Sequence, residues 1–306
     1  MNKYRPVRDT SIIILKSFRL LRSTHYVGMA ATGLLVSVIG IAPLSLNKLR
    51  HSIWNPEFGV ASFCALASIF CAFQTLNLVN HFWDLKAGMD KKEFSTTFTV
   101  LSPRVWSVLT WMYGLASLVF QLYLFQGLAL LTLALFYLIG FLYIIPPFRW
   151  KRWYPLSTFL LSIAALLAMV NGFVSSPADN DTGQFPERLA LLIVVTMTFS
   201  FGTKDRKDWA RDRTVGIKTL YTVYGAARGR SINAILVFLS YSSVPLLLGE
   251  GRYALLAVPF GLLSGFITIS RFYYRESLIF ICYYVFSVLL LGSIFYWQPG
   301  LLYWLP

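Results

Sequence analysis

Three carboxylates recur at helical spacing in the stretch Lys204-Asp205-Arg206-Lys207-Asp208-Trp209-Ala210-Arg211-Asp212-Arg213, which runs on to Gly216-Ile217-Lys218-Thr219-Leu220. On a helix Asp205, Asp208 and Asp212 stand at i, i+3 and i+7 and share one face, with Lys204, Lys207 and Arg211 in a row beside them. Carboxylates set side by side repel one another unless a cation sits among them. Oxygen ligands at this spacing suit Mg²⁺, which keeps waters and substrate phosphates for its remaining positions. The plainer alternative is a solvated charged turn between two membrane helices. A second acidic cluster weighs against it: Asn80-His81-Phe82-Trp83-Asp84-Leu85-Lys86-Ala87-Gly88-Met89-Asp90. Asn80 and Asp84 project together at i, i+4, and Gly88 is expected to end the helix so that Asp90 returns on a loop. Here too a helix cap and loop is the bland reading. An amide and two carboxylates at the end of an apolar helix are costly unless hydrated or functional. Taken together, Asn80, Asp84, Asp90, Asp205, Asp208 and Asp212 read as two Mg²⁺ sites that clamp a diphosphate between them, with basic side chains covering the remaining charge.

These residues have to be carried by membrane helices. Of the 306 residues 57% are hydrophobic and only 13% charged, about half the charged share of a soluble domain. The mean hydropathy is +0.62. Apolar runs of about 20 residues give nine expected spans, near 26–46, 57–79, 104–125, 127–145, 154–174, 187–203, 231–249, 253–270 and 277–297. The third and fourth are separated only around Gln126-Gly127, which demands a tight hairpin. Pro103, Pro155 and Pro186 open spans, where a missing N–H costs nothing, whereas Pro245 and Pro259 fall inside spans and predict kinks. Thr10 to Arg22 mixes apolar residues with Lys16, Arg19 and Arg22 and reads as a basic amphipathic segment on the membrane surface. No cleavable signal peptide is legible there. Cys64, Cys71 and Cys282 lie in apolar runs without metal-ligand spacing or a disulfide pattern. One all-α, polytopic membrane domain over 1–306 is expected: residues 1–25 as the basic N-terminal segment and 26–297 as the transmembrane bundle. No nucleic-acid partner and no obligate protein partner are expected.

Charge gives the orientation. With nine spans and a cytoplasmic N-terminus, 23 of the 27 Lys and Arg residues fall on the cytoplasmic side. Only Lys48, Arg50, Arg188 and Arg252 fall on the other, as does the polar loop Ser175 to Arg188, read as a solvated connection. The ends of helices 2, 4, 6 and 8 then share the cytoplasmic face, so the two acidic clusters can meet there.

N-x-x-x-D-x-x-x-G-x-D after helix 2 and K-D-x-x-D-x-x-x-D-x-x-x-G-I-K-T-L after helix 6 resemble the motifs of the UbiA superfamily of intramembrane prenyltransferases. A third segment, Tyr143-Ile144-Ile145-Pro146-Pro147-Phe148-Arg149-Trp150-Lys151-Arg152, is similar to that family's Y-x-x-x-P-x-R-x-K-R. The resemblance covers Arg22 to Trp297. It implies nine helices around a central cavity with a cytoplasmic-side cap, and Mg²⁺-dependent transfer of a prenyl group from an isoprenyl diphosphate to an aromatic or other hydrophobic acceptor. It further implies metal-binding roles for Asn80, Asp84, Asp90, Asp205, Asp208 and Asp212, with Asp84 and Asp208 catalytic. Lys151 and Tyr143 take catalytic roles, the latter in the pocket. Asn80, Arg149, Lys151, Lys204 and Lys207 are assigned to the diphosphate, and Arg22 is a loose match to a basic residue preceding helix 1.

In such chemistry the cations stabilise charge on the departing diphosphate while an apolar, aromatic cavity protects the allylic cation from water. Phe82, Trp83, Tyr137 and Tyr143 are aromatic candidates, although each reads as readily as packing. His25 and His81 are the titratable groups near the mouth, and neither is singled out as the base. The G-x-D ending of the first motif resembles naphthoate-directed members; Lys204-Asp205 and G-I-K-T-L look more like the homogentisate and lipid-ether branches. A membrane terpene cyclase is the alternative use of the same metals. A transporter is disfavoured because its ion-coupling acids would sit near the bilayer midplane.

Overall fold

Inside a bilayer each backbone N–H and C=O needs a partner within the chain, and an apolar run meets that demand as a helix. The computed structural model describes residues 20–41, 55–86, 103–176 and 185–297. Its helices are α1 (Leu20–Ile41), α2 (Pro56–Lys86), α3 (Pro103–Tyr123), α4 (Gly127–Ile144), α5 (Leu156–Val174), α6 (Glu187–Ser200), α7 (Trp209–Thr214), α8 (Leu220–Tyr224), α9 (Ala226–Leu248), α10 (Ala254–Ile269) and α11 (Glu276–Trp297). The described residues form no strand, only an isolated bridge between Trp153 and Lys218. Among them, seven helical segments are long and apolar enough to cross a membrane: α2, α3, α4, α5, α9, α11, and α10 with the turn before it. The other two expected spans correspond to α1 and to α6, which has only 14 residues. The protein is thus an all-α, polytopic membrane protein. The surface segment expected over Thr10 to Arg22 lies outside the described residues up to position 19, and Leu20 already belongs to α1.

Several boundaries follow from the local chemistry read above. Pro103 opens α3, Pro155 immediately precedes α5 and Pro186 caps α6. The α3–α4 hairpin turns through Phe125, whose φ of 51° lies in the left-handed region and whose ring is fully exposed. Pro245 and Pro259 both lie inside helices, α9 and α10.

The chain separates into two compact units. Of the described residues, 20–38, 55–86, 103–149 and 167–176 form the first; 39–41, 150–166 and 185–297 form the second. In the first, α2 packs on α3 and α4. Gly33 of α1 abuts the Met169 carbonyl and Gly172 of α5 abuts the Ala30 carbonyl, so the backbones touch where a Cβ would collide. The two hydrogens of buried Asn171 Nδ2 are shared among Gln121 Oε1 at 3.1 Å, the Ala129 carbonyl at 2.8 Å and Thr132 Oγ1 at 3.0 Å. That fork fastens α5 to both arms of the hairpin. Val108, Trp111, Met112, Leu115, Val119 and Leu122 recur at helical spacing on the uncovered side of α3, a face suited to lipid tails. In the second unit α9 is the hub, packed against α6, α8 and α10, with α11 against α10.

Candidate functional site

The first acidic cluster forms as its spacing requires. α2 continues to Lys86, so Asn80 and Asp84 are one turn apart, and Asn80 Nδ2 donates to Asp84 Oδ2 at 3.1 Å. The second Asp84 oxygen accepts from Arg149 Nη2 at 2.9 Å. Both partners are buried, Asp84 8% and Arg149 4% exposed, making this an internal ion pair between a helix end and a residue 65 positions away. Arg149 reaches it from a backbone with φ of 40°, unusual for a residue with a Cβ. A charge this deep is tolerable because its partner shares the burial. His81 is buried on α2, its ring 6.5 Å from that of Trp106. Tyr143 and Lys151 are half-buried, and Lys86 lies over the ring of Trp83 at 5.0 Å. Tyr137 shares a 2.6 Å hydrogen bond with Ser117 and stacks on Phe141, which places it in the α3–α4 contact. Asp90 lies outside the described residues.

The second cluster is built differently from the single helix expected. α6 stops at Ser200, the chain tightens into a 3₁₀ turn over Phe201–Asp205, and helix resumes only at α7. The grouping of acids survives because residues three apart eclipse in a 3₁₀ turn and residues four apart align in an α-helix. Asp208 donates its amide to the Asp205 carbonyl at 3.2 Å, and Asp212 to the Asp208 carbonyl at 2.8 Å. At Gly202 a Cβ would meet Asn233 Oδ1 at 2.8 Å, so any side chain there would make the Asn233 amide shift.

Electrostatically the group is crowded. Burial, then the neighbouring Asp205 and Asp208 charges, push the Asp212 carboxyl up to about 7, against the pull of Arg211 and Lys204. Lys204 Nζ donates to Asp205 Oδ1 at 2.5 Å, while Arg211 lies 3.3 Å from Asp208 and 3.8 Å from Asp212. Asp205 Oδ2 is buried without a hydrogen-bond partner. Among the described residues no three His, Cys, Asp or Glu side chains stand close enough to hold a metal ion by themselves. The donor set is nonetheless all oxygen, with an acceptor lacking a donor and a carboxyl raised by its neighbours. That chemistry fits a hard cation completing its shell with water and phosphate oxygens.

The basic residues divide. Lys204 stays with the carboxylates, but Lys207 turns to Glu276, with 2.6 Å between Nζ and Oε2. The G-I-K-T-L tail closes against the segment after α4: Lys218 donates its amide to the Arg152 carbonyl at 2.9 Å, and Tyr154 returns a bond to the Lys218 carbonyl at 3.0 Å. Thr219 then caps α8 through a reciprocal box with Thr222. Arg206, Tyr274, Asn233 and Gly202 were not singled out from the sequence. Their partners are far away along the chain, and no local spacing announces them.

The family model described as the UbiA prenyltransferase family matches residues 49–280, more than half of the chain. No curated protein matches it. Among solved structures, a UbiA homolog from Archaeoglobus fulgidus bound to DMAPP and Mg²⁺ is 18% identical with a TM-score of 0.63, over 92% of this chain and 98% of that one. A UbiA homolog from the same organism bound to GPP and Mg²⁺ is 17% identical with a TM-score of 0.64, over the same shares. A digeranylgeranylglyceryl phosphate synthase structure is 16% identical with a TM-score of 0.56, over 96% of this chain and 97% of that one. At these identities the likeness speaks for the fold. The matched family segment contains both acidic clusters and the basic stretch after α4, and the chain belongs to the UbiA prenyltransferase family.

Proposed function

We propose that this protein, acting as one domain over 1–306, moves a prenyl group from an isoprenyl diphosphate to an aromatic acceptor of the naphthoate, homogentisate or quinone-precursor kind. Mg²⁺ held at the acidic clusters would neutralise the diphosphate and make it a better leaving group. The observation that carries this reading is the crowded carboxylate group of Asp205, Asp208 and Asp212, with a buried Asp205 oxygen lacking a donor and an Asp212 carboxyl raised to about 7. The A. fulgidus homologs bound to DMAPP or GPP with Mg²⁺ support the same substrate class.

In this reading Asp205, Asp208 and Asp212 would contribute oxygens to one ion, whose shell water and diphosphate complete, and Asn80, Asp84 and Asp90 to the other. Arg149 orients Asp84 through its hydrogen bond, and Lys151 and Lys204 would lie with the diphosphate oxygens. Tyr143 lines the pocket where the prenyl chain is kept from water. The lopsided distribution of Lys and Arg supports an N-terminus and a mouth on the cytoplasmic side. Membrane lipid surrounds the apolar faces.

The test is turnover of labelled isoprenyl diphosphates by the purified protein, with and without Mg²⁺, against a panel of aromatic acids and quinols. Asp84→Ala and Asp208→Ala are expected to abolish Mg²⁺-dependent product while the protein stays folded. Full activity in either variant defeats the metal assignment. A cyclic hydrocarbon formed without acceptor would replace transfer by cyclisation.

A further inference from the structure

The 3₁₀ turn over Phe201–Asp205 is of a kind whose hydrogen-bond geometry is poorer than that of an α-helix. It is held from the far end of the chain. Tyr274 Oη donates to the Thr203 carbonyl at 2.7 Å, the same oxygen that accepts the Arg206 amide at 3.3 Å. Arg206 Nη1 donates to the Thr268 carbonyl at 2.5 Å and Nη2 to the Ser270 carbonyl at 2.7 Å. Those carbonyls belong to the last turn of α10 and its C-cap, where acceptors lack helical donors. The guanidinium also lies 3.9 Å from the Tyr274 ring centroid. One residue on, Lys207 pairs with Glu276 at the start of α11. The receiving loop is itself shaped, since Ser270 Oγ accepts the amides of Phe272 at 3.2 Å and Tyr273 at 3.0 Å. None of the contacts made by Arg206 is to Asp205, Asp208 or Asp212. This basic residue lies inside the acidic motif yet points its charge at a backbone.

We infer that Arg206 and Tyr274 are positioning residues: they fix the turn that spaces Asp205, Asp208 and Asp212, and so set how tightly this cluster takes Mg²⁺ with its diphosphate. The inference rests on the metal-binding reading proposed above. Ligands that are held in place before the ion arrives lose less freedom on binding it. Arg suits the task because its planar fork reaches two carbonyls at once, which an ammonium cannot reproduce.

The experiment is a Mg²⁺ titration of turnover at saturating diphosphate for Tyr274→Phe, Arg206→Lys and Asp208→Ala, with thermal midpoints measured in parallel. Tyr274→Phe removes one hydroxyl and keeps the ring beneath the guanidinium. It is expected to raise the Mg²⁺ concentration for half-maximal rate about fivefold, the weight of one net hydrogen bond. The rate at saturating Mg²⁺ should stay within about twofold. Arg206→Lys, keeping the charge but losing the fork, should shift the midpoint about tenfold, the weight of a lost charge-assisted bond. A lowered thermal midpoint with unchanged Mg²⁺ half-saturation in Tyr274→Phe means an ordinary structural strap and overturns the inference. Should Asp208→Ala keep wild-type Mg²⁺ dependence, it is the metal reading itself that falls.

Discussion

Breaking the Asp84–Arg149 pair from either side should cost far more than removing it whole. Arg149 Nη2 sits 2.9 Å from Asp84 Oδ1, with side-chain exposures of 5% and 12%. Arg149→Met leaves a carboxylate buried without its counter-charge, a change that costs about 3–5 kcal/mol in buried pairs. The lower end, about 3 kcal/mol, is expected here because Asn80 still donates to Asp84 at 3.1 Å. Asp84→Leu strands the guanidinium instead and should cost about the same. The double variant Asp84→Leu/Arg149→Met fills the space with apolar groups and strands no charge. It should lose no more than about 2 kcal/mol, against the roughly 6 kcal/mol that additivity demands. The assay is equilibrium unfolding in mixed micelles titrated with a denaturing detergent, followed by helical circular dichroism, for the four proteins of the cycle. It reads stability alone, so loss of turnover in the same variants does not confuse it. Additive losses, with the double variant the least stable of the four, would refute the reasoning.

Two further perturbations test the packing that carries the site. Gly172→Ala drives a Cβ into the Ala30 carbonyl, a backbone atom that cannot swing aside, and should lower stability by about 3 kcal/mol in the same titration; a wild-type midpoint would show that α1 and α5 do not touch there. Asn171→Ala removes the two N–H donors that three acceptors share, at about 0.6 kcal/mol each, so a loss of about 1 kcal/mol is expected, and a loss under about 0.3 kcal/mol would mean that the fork does not fasten the hairpin.

By itself the sequence determined whatever depends on neighbours along the chain. Apolar runs must become helices in lipid, so the element order and most boundaries were legible to within a few residues. The hairpin at Gln126-Gly127 needed only the break between two apolar runs, and the Asn80–Asp84 contact needed only a helical turn. The grouping of Asp205, Asp208 and Asp212 was legible too, although the helix meant to carry it ends at Ser200. Tertiary structure decided the rest. Local propensity reads Arg206 and Lys207 as two more charges on a polar face, because nothing nearby distinguishes them from Lys204. Only packing brings up the Thr268 and Ser270 carbonyls, Tyr274 and Glu276, whose partners are 62 to 71 residues away. The same holds for Arg149, which meets Asp84 across 65 positions. A hydrogen bond between distant segments forms where the folded backbones happen to present a donor to an acceptor, and that meeting is a property of the packed helices rather than of any window of sequence.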